Sequence, residues 1–344
     1  MRLHTTPNTT KRTAVVATVL LSLVIGVALA TAIWHRAAIG HRDGQAARET
    51  VEAYLTAVAE GDAETARGYL GEVDDDSLLT DEVLEESRAR APMTDITVGR
   101  ATKNWLEDGV YDVQVAYTLG EEVSTVMRVE EPTGRLEASN LPRLWLAEFT
   151  DVDFTVNGAV PATDEPPVFP GSYLLEASNE YLEIAGGPIT AADHDREPNF
   201  PSEENELVIS EAGIQMFRGK VIAEATACLA STRLDPGCGI HAIPQYPDSV
   251  PECEEIGEDS VQRHLDAGQA ARLETVTPEP DHWEPTIIKV LFTELGRFTV
   301  TVSCRTGDTW SSREIADYSQ IRGLFFGSPS IDLTDPDLAV VWNR

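Results

Sequence analysis

The sequence predicts an α+β protein carried behind a single N-terminal transmembrane helix, and three observations predict it. Thr13 to Trp34 runs for 22 residues without a charged side chain. Between residues 46 and 130 the apolar spacing changes from the helical period to strict alternation. The four cysteines all lie beyond residue 227, among turn residues and strand-like runs.

At ~1.5 Å per residue, Thr13–Trp34 is long enough to cross a ~30 Å hydrocarbon layer. A cleaved signal peptide has an apolar core of only ~7–15 residues before its small-residue cleavage site. Here Ala28-Leu29-Ala30 and Ala30-Thr31-Ala32 supply the small residues, yet the apolar run continues through Ile33 to Trp34. Trp34 suits a membrane–water interface. No cysteine follows the run, which excludes lipoprotein processing. The basic residues Arg2, Lys11 and Arg12 before the helix balance Arg36, Arg42 and Arg48 after it, so the positive-inside rule gives a draw. Downstream cysteines suit an oxidising compartment and break the tie. Residues 1–12 are therefore expected in the cytoplasm, 13–34 in the cell membrane, and the bulk of the chain outside it. Gly26 and Ala30 form a small-xxx-small pair, which in so alanine-rich a stretch reads as coincidence.

The formal charge is −32, from 58 acidic against 26 basic residues, and only four of the latter are lysine. Such a surface repels nucleic acid and anionic lipid headgroups, and no basic patch supports nucleic-acid binding. About 310 residues beyond the anchor are enough for two or three domains at ~100–150 residues each.

The first domain is expected over residues 43–150. Val51, Tyr54, Leu55 and Val58 fall on one face of a helix over 46–60, which Gly61 stops. Asp62 caps a second helix with Ala66, Tyr69 and Leu70 apolar. A third begins at Thr80, with Asp81 and Glu82 in its first turn, and ends before Pro92. Strands follow at 96–103, at Tyr111, Val113, Val115 and Tyr117, and at Val123, Thr125, Met127 and Val129, with Leu119-Gly120-Glu121 as the turn. Another is expected from Arg143 to Phe149. The run VEAYLTAVAEGDAETARGYL resembles the opening of nuclear-transport-factor-2-like (NTF2-like) domains, where two helices pack under a cone-shaped sheet. That resemblance implies a cone whose interior serves either catalysis, small-ligand carriage or plain association. Members that are enzymes line the cone with an acid/base Asp or His and a Tyr. This chain has no histidine between His41 and His194, and adjacent Tyr111 and Asp112 point to opposite sheet faces.

Residues 151–205 carry two turn signatures, Asn157-Gly158 and Pro170-Gly171, beside Phe154–Val156 and Tyr173–Leu175. "VNG" followed by "FPGSY" resembles small PEGA-like or immunoglobulin-like β modules. From residue 186 to 205 the composition is that of a solvated linker.

The last domain, 206–344, opens with a strand at 207–209 and a helix from Gly213 to Ala230 with Met216, Val221, Ala225 and Cys228 along one side. Cys228, Cys238, Cys253 and Cys304 allow three pairings. The bend Asp235-Pro236-Gly237 favours joining Cys228 to Cys238, which leaves Cys253 for Cys304; the connectivity stays open at this level. A metal alternative would use Cys238, His241, Cys253, His264 and His282, but the second half of that set lacks paired short spacings. Strands are expected at 286–294, 297–304 and 338–342, an order that resembles a second cystatin-like α+β unit. The phrase CLASTRLDPGC is similar to a "C(A/L)AST…PxGC" loop of membrane-anchored actinobacterial proteins with the same order of parts, and more distantly the build resembles TcaA-like envelope proteins. Where those relatives have "CPF", this chain has Cys238-Gly239-Ile240.

No catalytic motif stands beside these elements. A calcium loop from Asp74 to Glu85 fails at Leu78 and Leu79, where a ligand and a glycine belong. Ser328 has no nucleophile elbow around it, and Gly186-Gly187-Pro188 is a turn rather than a phosphate cradle. No catalytic, cofactor or metal residue is therefore expected. The anchor, the modular β-rich architecture, the four cysteines beyond the membrane and the lack of a catalytic set lead to the expectation of a non-catalytic binding or scaffolding protein, with other envelope or membrane proteins as partners; the alternative is a small-ligand carrier or enzyme using the first domain's cone.

Overall fold

The computed structural model describes residues 44–131, 133–192, 205–247, 250, 253–290, 295, 297–315 and 326–343. The expected anchor, 13–34, lies outside them. Among the described residues no helix is long and apolar enough to cross a membrane. The described chain is α+β, with many strands and few helices. It divides into two compact units, and the chain passes between them more than once. Of the described residues, one unit holds those up to Arg143 together with Pro166–Ser172 and 190–192; the other holds Leu144–Glu165, Tyr173–Ile189 and those from 205 on. Of the described residues of 151–205, those at 166–172 and 190–192 belong to the first unit and those at 151–165 and 173–189 to the second.

In the first unit α1 (44–60) buries Ala47, Val51, Tyr54, Leu55 and Val58 along one stripe. Gly61 ends it in the left-handed region at φ +85°, where a side chain would be strained. Asp62 then caps α2 (Ala63–Gly68): its Oδ1 accepts from Thr65 N at 2.8 Å. A second carboxylate, Asp81 Oδ1, accepts from Ala63 N at 2.7 Å. Helix α3 (Asp81–Arg90) is capped by the Thr80 hydroxyl, which accepts from Val83 N.

Four antiparallel strands follow in sequence order: β1 (Thr94–Lys103), β2 (Val110–Leu119), β3 (Glu121–Glu130) and β4 (Arg135–Leu136). Strands β2 and β3 pair without a slip from Val110 opposite Glu130 to Leu119 opposite Glu121, turning at Gly120 with φ +74°. That register sets Tyr111, Val113, Val115 and Tyr117 across from Val129, Met127, Thr125 and Val123, all on the buried face. Two register shifts in β1 bend the sheet over α1. Residues distant in sequence complete this core. Phe169 is fully buried with its ring 6.3 Å from that of Tyr54, the Tyr117 hydroxyl donates to the Ala192 carbonyl, and Ser172 N donates to Ser87 Oγ at 2.7 Å.

The strand expected from Arg143 to Phe149 does not form. Leu144 and Leu146 are buried as alternation requires, but bridge positions at Arg143 and Leu144 and a 3-10 turn at Ala147–Phe149 result instead of a strand. The partner of Arg143 in that bridge is Pro167, in a stretch that also contains Pro161, Pro166 and Pro170. Prolines have no N–H to extend a ladder.

In the second unit, β5 (Phe154–Val156) runs into a turn at Asn157-Gly158, both at positive φ, and pairs with β7 (Leu175–Ala177). Pro170-Gly171 is not a hairpin turn, because Gly171 begins β6 (Gly171–Tyr173), which with β9 (Ile189–Ala191) stands where the chain passes between units. Strand β8 (Leu182–Ile184) pairs with β10 (Leu207–Ile209). Helix α4 (Glu211–Ala230) starts at Ser210, whose Oγ accepts from Gly213 N. Its buried stripe is Gly213, Phe217, Val221, Ala225 and Cys228, so Phe217 rather than the expected Met216 faces inward. The spacing of four along that stripe fixes the face.

Two sheets complete the unit. In one, β15 (Thr299–Thr306) is central, with β16 (Thr309–Ile315) along one edge and β11 (Glu255–Ile256) and β12 (Gln262–His264) sharing the other. Val300, Val302 and Cys304 alternate into its buried face, as their spacing predicts. The other orders β13 (Glu279–Pro280), β14 (Ile287–Lys289), β17 (Ser328–Asp332) and β18 (Val340–Asn343). Helix α5 (Ala267–Thr275) is capped by Asp266.

Candidate functional site

In the first unit the hollow that a curved sheet over a helix leaves is occupied. Tyr54, Tyr117, Met127 and Phe169 are each at most 1% exposed and belong to one continuous cluster with Val51, Leu55 and the β2–β3 side chains. Tyr111 points inward and Asp112 outward, where Asp112 Oδ1 accepts from Asn104 Nδ2 at 3.2 Å and lies 4.0 Å from Arg128 Nε. The opposition inferred from adjacency on one strand therefore separates Tyr111 from Asp112. Two open depressions of about 560 and 570 Å³ flank the first turns of α1, one lined by Ala47, Tyr111, Val129 and Glu130, the other by Arg48, Val98 and Arg100. Neither brings an acid and a base together at its floor.

The second unit is organised by its cysteines. Cys228 is joined to Cys238 across a Cα separation of 6.0 Å, and Cys253 to Cys304 across 5.2 Å. Cys228 sits at the end of the α4 stripe and Cys304 on the buried face of β15, so each bridge ties a loop to a packed element. With all four sulfurs so bonded, Cys238 and Cys253 are not thiolate ligands. His264 lies on β12, and His282 packs edge-on to Trp283 with ring centroids 4.7 Å apart. Among the described residues no three His, Cys, Asp or Glu side chains converge as a metal site would require.

Around the bridges lie residues that the sequence did not single out. Arg263, on β12, is 7% exposed; it donates from its two terminal nitrogens to the carbonyls of Ser231 and Arg233, the latter at 3.0 Å. Val261 N donates to Thr232 O at 3.0 Å, so β12 holds the loop that leads from α4 to Cys238. Burial lowers the Arg263 pKa, and nearby Asp235 opposes that effect. Next to Cys238, Gly239 lies under the ring of Trp342, which a Cβ at that position would overlap. Trp342 stacks at 5.8 Å on Phe326, which packs edge-on to Phe298 at 5.3 Å. The Trp342 indole N–H donates to Glu224 Oε2 on α4 at 2.8 Å. This contact explains a glycine at position 239. No local sequence signal announces either feature, since a lone arginine in a strand and a glycine after a cysteine are common.

Two partly buried ion pairs fix loops and strand edges. Asp281 accepts from Lys289 and from Trp283 N at 2.8 Å, and the lysine's hydrogen bond first, then the backbone donors, lower its pKa to about 2. Arg305 donates from Nε to Glu255 Oε2 at 2.8 Å across the β11–β15 pair; this raises the guanidinium pKa further. These are structural contacts on strand edges and turns.

No protein-family model, curated protein or solved structure matches this chain.

Proposed function

We propose that this is a single-pass membrane protein whose bulk lies outside the cytoplasm and serves the cell envelope by binding or scaffolding other envelope or membrane proteins, without catalysis. The observation that carries the reading is the coexistence in one chain of a 22-residue uncharged stretch and two disulfides. Persistent disulfides belong to oxidising compartments, and the stretch supplies the means of staying at that compartment's membrane. The packed interior of the first unit supports the non-catalytic half, because a carrier or enzyme using that hollow needs open volume with convergent polar groups. An acidic surface keeps such a domain soluble and away from nucleic acid.

The experiment is crosslinking in intact cells followed by affinity purification of the full-length protein and mass spectrometry. The proposal expects a reproducible set of envelope proteins, crosslinked through residues beyond position 43. A protein that crosslinks to nothing with several reagents of different span, while turning over a small molecule, would overturn it.

A further inference from the structure

The turn between β1 and β2 carries two large apolar side chains in full view of solvent: Trp105 is 87% and Leu106 71% exposed. They are held there by an ordered turn. Asn104 N donates to Val110 O at 2.8 Å and closes the hairpin, while Asn104 Oδ1 accepts from Leu106 N at 2.8 Å and from Glu107 N at 3.2 Å. The Asn104 amide in turn donates to Asp112, and Gly109 at φ +86° completes the reversal. A tryptophan and a leucine displayed on so fixed a turn cost solubility unless something apolar receives them.

Where this turn lies on the first unit suggests what that is. The first residue of α1, Gly44, is packed on Tyr111 and Ala101: a Cβ there would sit 3.6 and 3.7 Å from their side chains. Ala101 is two residues from the end of β1, and Lys103 pairs with Tyr111 beside the turn. The chain therefore joins the unit at the end that carries Trp105 and Leu106. From Ala101 to Trp105 is four residues, at most ~14 Å of extended chain. Between Trp34, the last residue of the apolar stretch, and Gly44 are nine residues, so Gly44 can stand no more than ~36 Å from the stretch's end. Charge agrees. Residues 100–108 hold Arg100 and Lys103 against Glu107 and Asp108, a neutral patch on a chain of formal charge −32.

We infer that Trp105 and Leu106 are a second contact with the lipid surface, seated at the interface of the same bilayer that Thr13–Trp34 crosses and setting the orientation of the first unit on it. Tryptophan is favoured at that depth because its ring is apolar and its N–H polar, and leucine adds buried apolar area. The inference rests on the membrane anchorage proposed above.

Full-length protein is reconstituted into zwitterionic phosphatidylcholine vesicles, plain or brominated on the acyl chains, and Trp fluorescence is compared among wild type, W105F and W34F. Each difference spectrum isolates one tryptophan. Trp105 is expected to emit at shorter wavelength than in the vesicle-free chaotrope-unfolded protein and to lose most of its intensity in brominated vesicles; L106S should weaken that quenching. If the protein floats with the vesicles and Trp34 is quenched while Trp105 is not, the lipid contact is overturned and the anchor stands. If neither tryptophan is quenched and the protein does not float, the anchorage fails and the contact falls with it. A Trp105 emission shifted to shorter wavelength but indifferent to bromine would assign the turn to a protein surface, and that also overturns the inference. Trp105 and Leu106 are solvent-exposed, so W105F and L106S leave the fold of the first unit intact, and circular dichroism checks this for every variant.

Discussion

Removing the Cys253–Cys304 bridge should cost the second unit more than removing Cys228–Cys238, and the difference follows from where each pair closes the chain. The first closes a sequence separation of 51 residues and the second a separation of 10. In the chain-entropy account these loops correspond to about 4 and about 3 kcal/mol of denatured-state entropy. Location widens the gap. Cys304 is fully buried on the central strand β15, where Ile256 of β11 stands opposite it, so its bridge also fastens the short strand whose ladder with β15 is only two residues long. At ~2–4 °C per kcal/mol for a unit of this size, C253A/C304A should lower the unfolding midpoint by about 8–16 °C and C228A/C238A by about 6–12 °C. The assay is thermal unfolding of the full-length protein in mild detergent, followed by near-ultraviolet circular dichroism, each double variant against wild type under non-reducing conditions. Equal stability of all three proteins would refute the reasoning, as would a larger loss from C228A/C238A.

Three further outcomes follow from the second unit. R263A leaves the carbonyls of Ser231 and Arg233 without their donor and should destabilise by about 2–5 kcal/mol in urea titration; a loss below about 0.5 kcal/mol would contradict the role given to the guanidinium. G239A should displace the Trp342 ring, costing about 1–3 kcal/mol and altering the near-ultraviolet tryptophan signal. Asp281 should titrate at about 2 by NMR, and K289A should raise that value. Because the folded pKa lies below the unfolded value of ~3.9, the contribution of this carboxylate is complete above ~3.9 and is lost as pH falls through about 2.

What the sequence made legible was local. Asp62 and Thr80 announce helix starts because a side-chain oxygen three residues before an amide is a cap by geometry alone. The β2–β3 hairpin is readable from alternation on both sides of Gly120, and the helix α1 stripe from its period. What stayed hidden depended on partners far along the chain. Alternation at Leu144 and Leu146 promised a strand, but a strand needs donors beside it, and prolines stand in the neighbouring stretch. Phe169 and Ala192 finish the core of the first unit from positions where the local composition reads as loop. On α4, Met216 and Phe217 are adjacent and both apolar, so only the packed structure decides which faces inward. The cysteines show the reverse case: the Asp235-Pro236-Gly237 bend pointed to a short bridge, and the alternation of Val300, Val302 and Cys304 gave the face from which the longer one is made. Arg263 had no signal at all, since its importance lies in two carbonyls some thirty residues earlier.

The most direct test of extracytoplasmic placement is protease accessibility in intact spheroplasts expressing the full-length protein with one tag at each terminus. An anchor at Thr13–Trp34 with the bulk outside predicts that added protease destroys the C-terminal tag without lysis, while the N-terminal tag survives until the membrane is broken. Protection of the C-terminal tag in intact spheroplasts, with digestion only after lysis, would contradict the placement and with it the proposed envelope role.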